Sequence, residues 1–367
     1  MRQFLELIQI SLGHRLGFSV SPSREDWIEL LKQAEKQALI GVCFAGIEKL
    51  KQNGGNCPSR DILLQWYAKS EIVRRMNAAQ EQEIRTICSK LEADGMRPCI
   101  LKGQSLMQYY PATLKGVRQC GDIDILVSDT DVNVLKYALE REGPEMEWGY
   151  KHVHMNIAKK SCVDLHYRLA MSRNLWRNKK IQRWNKELKK RGFKDFIDCG
   201  YPTLDLKDNI VFLLTHAFWH FLFEGVGLRQ LMDIYFVIHT AEGIDVKEKI
   251  KEFGLEKFAG ACSWVMWYVF DDCNQQSLLL ADRCVLPPPH EKHGKFLLKE
   301  IMATGNFGQM DERKTVKKDD SALVIALKKF VHYTRLAKNY PIEFIWLPIG
   351  SLFIRIWKRD IAKKVYA

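Results

Sequence analysis

The stretch GDIDILVS, Gly121 to Ser128, constrains the fold more than any other part of the chain. Ile123, Ile125 and Val127 alternate with other residues as a buried strand requires, yet Asp122 and Asp124 sit two apart within the run. Residues i and i+2 of a strand point to one side, about 6–7 Å apart. Two ionised carboxylates at that separation repel by roughly 2–3 kcal/mol at an effective dielectric of about 20. Two arrangements relieve this: a divalent cation between the acids, or a sheet edge where both are solvated.

The neighbouring sequence supplies more of the same chemistry. Upstream, RPCILKGQSLMQYYPA reads as a short strand (Pro98–Leu101), a glycine turn and a helix ending before Pro111. Gly103 sits where free amides can hold a phosphate, with Lys102 as a charge and Gln104 or Ser105 as a side-chain donor. Downstream, DTDVNVLKYALEREG reads as a helix closed by Gly143, and KHVHMNIA with SCVDLHYRL as a hairpin. In the second of those strands Asp164 and His166 share one face, and Val163 and Leu165 face the core. Three carboxylates from two strands, beside a phosphate-holding turn, are the donor set for two Mg²⁺ ions.

Helical periodicity surrounds this unit. Ser23 and Asp26 open a helix as a capping box, with Trp27, Leu30, Leu31 and Ala34 on one apolar face. Ile84, Ile87, Cys88 and Leu91 repeat the pattern before Asp94-Gly95 stops it. NIVFLLTHAFWHFLF and LRQLMDIYFVIH read as a buried helical hairpin about Glu224-Gly225-Val226-Gly227, and ACSWVMWYVFDD as another buried helix. Pro287–Pro289 and residues 303–320 read as connecting loops. The expected organisation is a helical region over 1–94, an α/β core over 95–170, a helical domain over 171–300 and a loop with a basic helical tail over 301–367.

The motifs ILKGQSL, YYPATLKGVRQCGDIDILV and VDLHYRL resemble a bacterial family of uncharacterised nucleotidyltransferases within the DNA polymerase β-like superfamily. The later THAFWHFLFEGVGLRQLMDI and the leading helices resemble the same family, so the likeness covers most of the chain. It implies an α+β fold, a small mixed-sheet core flanked by N- and C-terminal helical regions. Position by position, it implies that Gly103 and Ser105 match the phosphate-binding turn, and that Asp122, Asp124 and Asp164 are the catalytic, metal-binding acids. This chain departs by reading Gly103-Gln104-Ser105 where the superfamily has Gly followed directly by Gly or Ser. The implied cofactor is Mg²⁺ or Mn²⁺, with a nucleoside triphosphate as co-substrate. Arg118 either meets a phosphate oxygen or closes a loop at the surface.

Charge distribution bears on the acceptor. The net charge is +12, but residues 168–194 carry +10 and residues 313–367 carry +9, leaving −7 for the rest. Two basic segments suit local anion contacts better than a surface that coats nucleic acid. A small-molecule or protein acceptor is therefore expected. An RNA acceptor, supported by Trp176 and Trp184 among the charges, is the alternative, and a catalytically silent nucleotide-binding relative is a third reading. The basic tail with Trp346, Phe353, Ile354, Ile356 and Trp357 either lies on an anionic membrane or packs against the helical body. Its most apolar stretch, Phe344–Ile354, is too short to span a bilayer, which needs about 20 residues. Ten cysteines without a CxxC, and no visible signal peptide, make a reduced cytoplasmic protein the expectation.

The histidines leave several readings open. His152 and His154 share a strand face beside Asp164 and His166, which permits a zinc site or simple polar lining. His216 and His220, one helical turn apart among Leu, Phe and Trp, read as core histidines or as pocket lining. Arg229 and Asp233 read as an intrahelical pair.

Overall fold

The aspartate-bearing strand lies near the middle of a sheet. In a computed structural model, β2 (Ile123–Val127) runs parallel to β4 (Val163–His166) and antiparallel to β1 (Pro98–Ile100). β3 (His152–Met155) pairs antiparallel with β4, β6 (Tyr201–Thr203) parallel with β1, and β5 (Lys194–Phe196) antiparallel with β6. The order is β3-β4-β2-β1-β6-β5, a mixed six-stranded sheet. The structure describes residues 1–196, 200–241, 243–271, 286–308, 311, 313 and 321–367. Most of the stretch 309–320, read from sequence as loop, lies outside them. Residues 303 and 304 instead finish the helix Glu291–Thr304.

The two faces of the sheet meet different partners. Ile100, Ile123, Ile125, Val127, Val153, Val163 and Leu165 pack on Ile84, Ile87 and Leu91 of α4 (Arg60–Ala93) and on Val134, Leu135 and Ala138 of α5 (Asp131–Glu142). The opposite face carries Cys99, Leu101 and Leu126 into the helical core. That core unites α1 (Arg2–Leu12), α2 (Arg24–Lys36) and α3 (Ile40–Gln52) with α7 (Leu206–Phe223), α8 (Leu228–His239) and the helix Glu256–Phe270. A strand covered on both faces needs a near-continuous apolar run, which is why Asp124 stands out within it.

Local signals act where the sequence puts them. Ser23 Oγ accepts from the amide of Asp26 and the Asp26 carboxylate accepts from the amide of Ser23, closing the capping box. Gly95, at φ 81°, follows the C-terminal end of α4. The segment after β1 is a 3-10 turn, Gly103–Tyr109, rather than a full helix. The hairpin of β5 and β6 adds strands beyond residue 170, where sequence periodicity gave no strand.

The C-terminal helix Leu347–Val365 packs on the protein. Ile361 and Val365 join the α4–α5 core, and the Trp357 ring lies 4.7 Å from Tyr150. The Arg168 guanidinium lies 4.8 Å from the same Trp357 ring. Leu352 and Ile356 remain exposed. Among the described residues, no helix is long and apolar enough to cross a membrane.

Candidate functional site

Strand register brings the acids together. Asp124 and Asp164 are direct neighbours across the parallel β2/β4 pair, and His154 stands opposite Asp164 on β3. One register step on, Leu126, His166 and His152 form the next row of the same face. This face turns toward α7. Asp122 lies just before β2 and is exposed, so the DxD divides into one acid inside the sheet and one at its mouth. Neither acid lies on a sheet edge: β2 is flanked on both sides and Asp124 is 3% exposed.

A buried carboxylate costs several kcal/mol unless its charge is met. Lys102 Nζ lies 3.0 Å from Asp124 Oδ2, and His166 Nε2 lies 3.0 Å from Asp124 Oδ1. Burial alone would raise the Asp124 carboxyl, but Lys102 and His166 outweigh it and hold it well below the usual carboxylate range. Asp164 moves the other way, raised by burial and then by the charge of Asp124. Its partners are His154 Nδ1 at 2.5 Å and His152 Nε2 at 3.6 Å. Two neighbouring carboxylates driven in opposite directions are the signature of like charges sharing a site.

Lys102 is held from behind. His216 Nε2 lies 3.4 Å from its ammonium, and burial followed by the Lys102 charge keeps His216 well below its ordinary value, hence neutral. His220 packs on His216 at 4.3 Å, and its Nδ1 meets the Glu224 carboxylate at 2.7 Å. Both histidines are therefore buried residues with local partners and also border the site.

The glycine turn is built as the sequence suggests. Gly103 adopts φ 69°, a left-handed conformation that costs a residue with a side chain about 1–2 kcal/mol. A Cβ there would meet nothing closer than 4.0 Å, so the cost is backbone strain alone. Gly103→Ala is expected to lower unfolding free energy by about 1–2 kcal/mol in chemical denaturation. Gly17→Ala, in open space and without a positive φ, should change it little. Gln104 is committed to α4 through Gln80 and Asn77, whereas Ser105 Oγ is buried without a partner among the described residues.

Arg118 is not a surface residue. It is 4% exposed, and its Nε and Nη2 each donate at 2.6 Å to the two carboxylate oxygens of Asp233. Tyr110 donates to the same carboxylate at 2.7 Å. The intrahelical Arg229–Asp233 pair expected from sequence gives way to this one, and Arg229 donates to Gln119 O and Asn306 Oδ1. A guanidinium bound on two of its nitrogens anchors the loop before β2 to α8.

Two site residues escaped the sequence reading. The Lys151 ammonium makes no hydrogen bond or ion pair among the described residues, and burial followed by repulsion from Lys102 lowers its pKa. Its position directly before the His-x-His strand was the available signal. Phe307 adopts φ 53°, and its ring lies 4.8 Å from His220 and 5.8 Å from Lys102. Nothing in the surrounding loop-like sequence marks it. Two cavities lie beside the sheet. One of about 440 Å³ is bordered by Asp131, Arg168 and Lys189, and one of about 380 Å³ by Glu142, Glu147 and His154.

A mixed sheet with helices before and after it, and acids on adjacent central strands, can hold metal and phosphate together. Residues 23–271, two thirds of the chain, match a family described as uncharacterised nucleotidyltransferases. The chain belongs to this family. It is accordingly a nucleotidyltransferase, with the mixed α+β core of the polymerase β-like superfamily. No curated protein and no solved structure matches it. His152, Asp164 and His166 place ligand atoms within 4.8 Å of one another, a group able to hold a divalent ion.

Proposed function

We propose that this nucleotidyltransferase moves a nucleoside monophosphate from a nucleoside triphosphate to a small-molecule or protein acceptor, with release of pyrophosphate. The observation that supports this best is the Asp124–Asp164 cross-strand pair, with the ammonium groups of Lys102 and Lys151 within its electrostatic reach. The pair suits a metal ion, because Asp124 and Asp164 are buried neighbours whose like charges a divalent ion would offset. Asp122, Asp124 and Asp164 would hold Mg²⁺ or Mn²⁺. Such an ion neutralises triphosphate charge and polarises the phosphoryl group.

The chain's own groups do the rest. Lys102 exchanges Asp124 for a phosphate oxygen, Lys151 supplies a second cation, and Ser105 Oγ is a hydroxyl without a competing partner among the described residues. The acceptor forms a bond to the α-phosphorus as the bond to the β-phosphate oxygen breaks. Asp164, whose carboxyl is raised, takes the acceptor's proton. Positioning and charge neutralisation provide most of the rate enhancement.

The geometry of α6 (Leu175–Arg191) favours a small or protein acceptor over RNA. Trp184 donates its indole N–H to Asp208 inside the core, and Arg177 and Arg191 pair with Glu343 and Asp208. Lys189 donates to Asp129 O and Tyr167 O. Much of that segment's charge is thus spent on the fold.

The test is a screen of four α-labelled triphosphates with Mg²⁺, purified protein and cell extract. Label is expected in a small molecule or a protein. Label in RNA would reassign the acceptor, and no transfer from any of the four would overturn the reading. Lys151→Ala is expected to weaken triphosphate binding about tenfold or more, about 1.4 kcal/mol, by titration calorimetry.

A further inference from the structure

The C-terminal helix Leu347–Val365 meets the protein with one side only. Ile361 and Val365 are buried, Trp357 packs on Tyr150, and a Cβ on Gly350 would run into the Arg173 carbonyl. These contacts fix how the helix is turned, and the side turned away is apolar. Ile342, Ile345, Ile349, Leu352 and Ile356 follow one another at spacings of three, four, three and four residues, which makes one stripe along a helix. The stripe begins in the short helix Pro341–Ile345. Trp346 N donates to Ile342 O at 3.2 Å and Gly350 N to Trp346 O at 2.8 Å, which carries the helical path through the joint. All five side chains are between 44% and 67% exposed.

Scattered exposed apolar residues are ordinary, but a continuous stripe marks a docking face. The charges around it say what docks. The next two steps of the same spacing are Arg359 and Lys363, and Arg355 borders the stripe, all three exposed. The helix carries five cations and a single acid, Asp360, which lies 3.6 Å from Arg359. A second copy of the chain fits this face poorly, because a two-stranded helical seam is bordered by charges of both signs that pair across it. An anionic bilayer fits it well. Apolar side chains enter the acyl boundary while Lys and Arg meet the headgroup phosphates.

We propose that this helix, with Pro341–Ile345 before it, docks the protein on an anionic lipid membrane. It lies in the plane of the interface, with Ile345, Ile349, Leu352 and Ile356 inserted and Arg355, Arg359 and Lys363 on the headgroups. Because its other side is packed on the α4–α5 core, the whole protein is held at the surface with it. The inference stands apart from the nucleotidyl-transfer chemistry above and uses none of its residues.

The test sediments the full chain with vesicles of equal parts phosphatidylcholine and phosphatidylserine, and with vesicles of phosphatidylcholine alone. Binding at least about tenfold tighter to the anionic vesicles is expected, weakening as salt is raised. Two double variants separate the contributions: Leu352→Ser with Ile356→Ser, and Arg355→Gln with Arg359→Gln. Each is expected to weaken binding to the anionic vesicles at least about tenfold. All four side chains are exposed, so thermal melts of both variants should match the parent. No preference for anionic vesicles, or binding that either variant leaves unchanged, would overturn the proposal. A lipid-free dimer in light scattering that Leu352→Ser with Ile356→Ser returns to monomer would also overturn it, by assigning the stripe to a second copy.

Discussion

Asp124→Asn is expected to reduce nucleotidyl transfer about a thousandfold or more while leaving the protein folded. Asp124 is the inner acid of the site, 3% exposed and in contact with both Lys102 and His166. Removing its charge takes away one side of the cross-strand pair and several kcal/mol of transition-state charge stabilisation. Two effects on stability oppose each other. Lys102 loses its ion pair, but it keeps His216 nearby and is one-fifth exposed, so solvent can meet its charge. Asp164, raised by Asp124, is relieved of a like charge. Labelled transfer assays set beside circular-dichroism melts separate the two consequences. A variant that melts like the parent but transfers nothing is the expected outcome, and one that transfers normally removes Asp124 from the chemistry.

The second large effect concerns stability. Asp233→Ala is expected to cost about 3–5 kcal/mol, because it leaves the Arg118 guanidinium buried and uncompensated. Both partners are 4% exposed at the side chain, and the contact closes a separation of 115 residues between the loop before β2 and α8. Tyr110 loses its acceptor in the same step. The double variant Arg118→Met with Asp233→Leu should recover most of the loss, since exchanging a whole buried pair for apolar side chains is often neutral or stabilising. Urea denaturation of the three proteins measures both effects. A single variant within about 1 kcal/mol of the parent would show that the pair carries little of the fold.

The legible parts of this protein were those fixed by short-range pattern. The capping box of Ser23 and Asp26, the buried faces of α2 and α4, and the alternation of β2 each follow from residues within a few positions of one another. The Asp124–Asp164 pairing was also legible, since both acids interrupt strands whose other residues demand burial. The division of the DxD was not. The ladder begins at Ile123, a matter of tertiary pairing, so Asp122 falls outside the strand although its spacing is ideal. Arg229 and Asp233 have the spacing of a helical pair, yet a bidentate partner from distant sequence wins Asp233. Phe307 enters the site from a segment with no local signature, beside His220 of α7 and over Lys102, and Lys151 is marked only by its place directly before β3.

We propose that Asp124 and Asp164 together hold a divalent ion on which triphosphate binding depends. Calorimetric titration of a nucleoside triphosphate into the full chain, with and without Mg²⁺, tests it on the parent and on Asp164→Asn. Affinity at least about tenfold higher with Mg²⁺ is expected in the parent, and no such gain in the variant. Equal affinity with and without Mg²⁺ in the parent, or a metal gain that survives in Asp164→Asn, would contradict it.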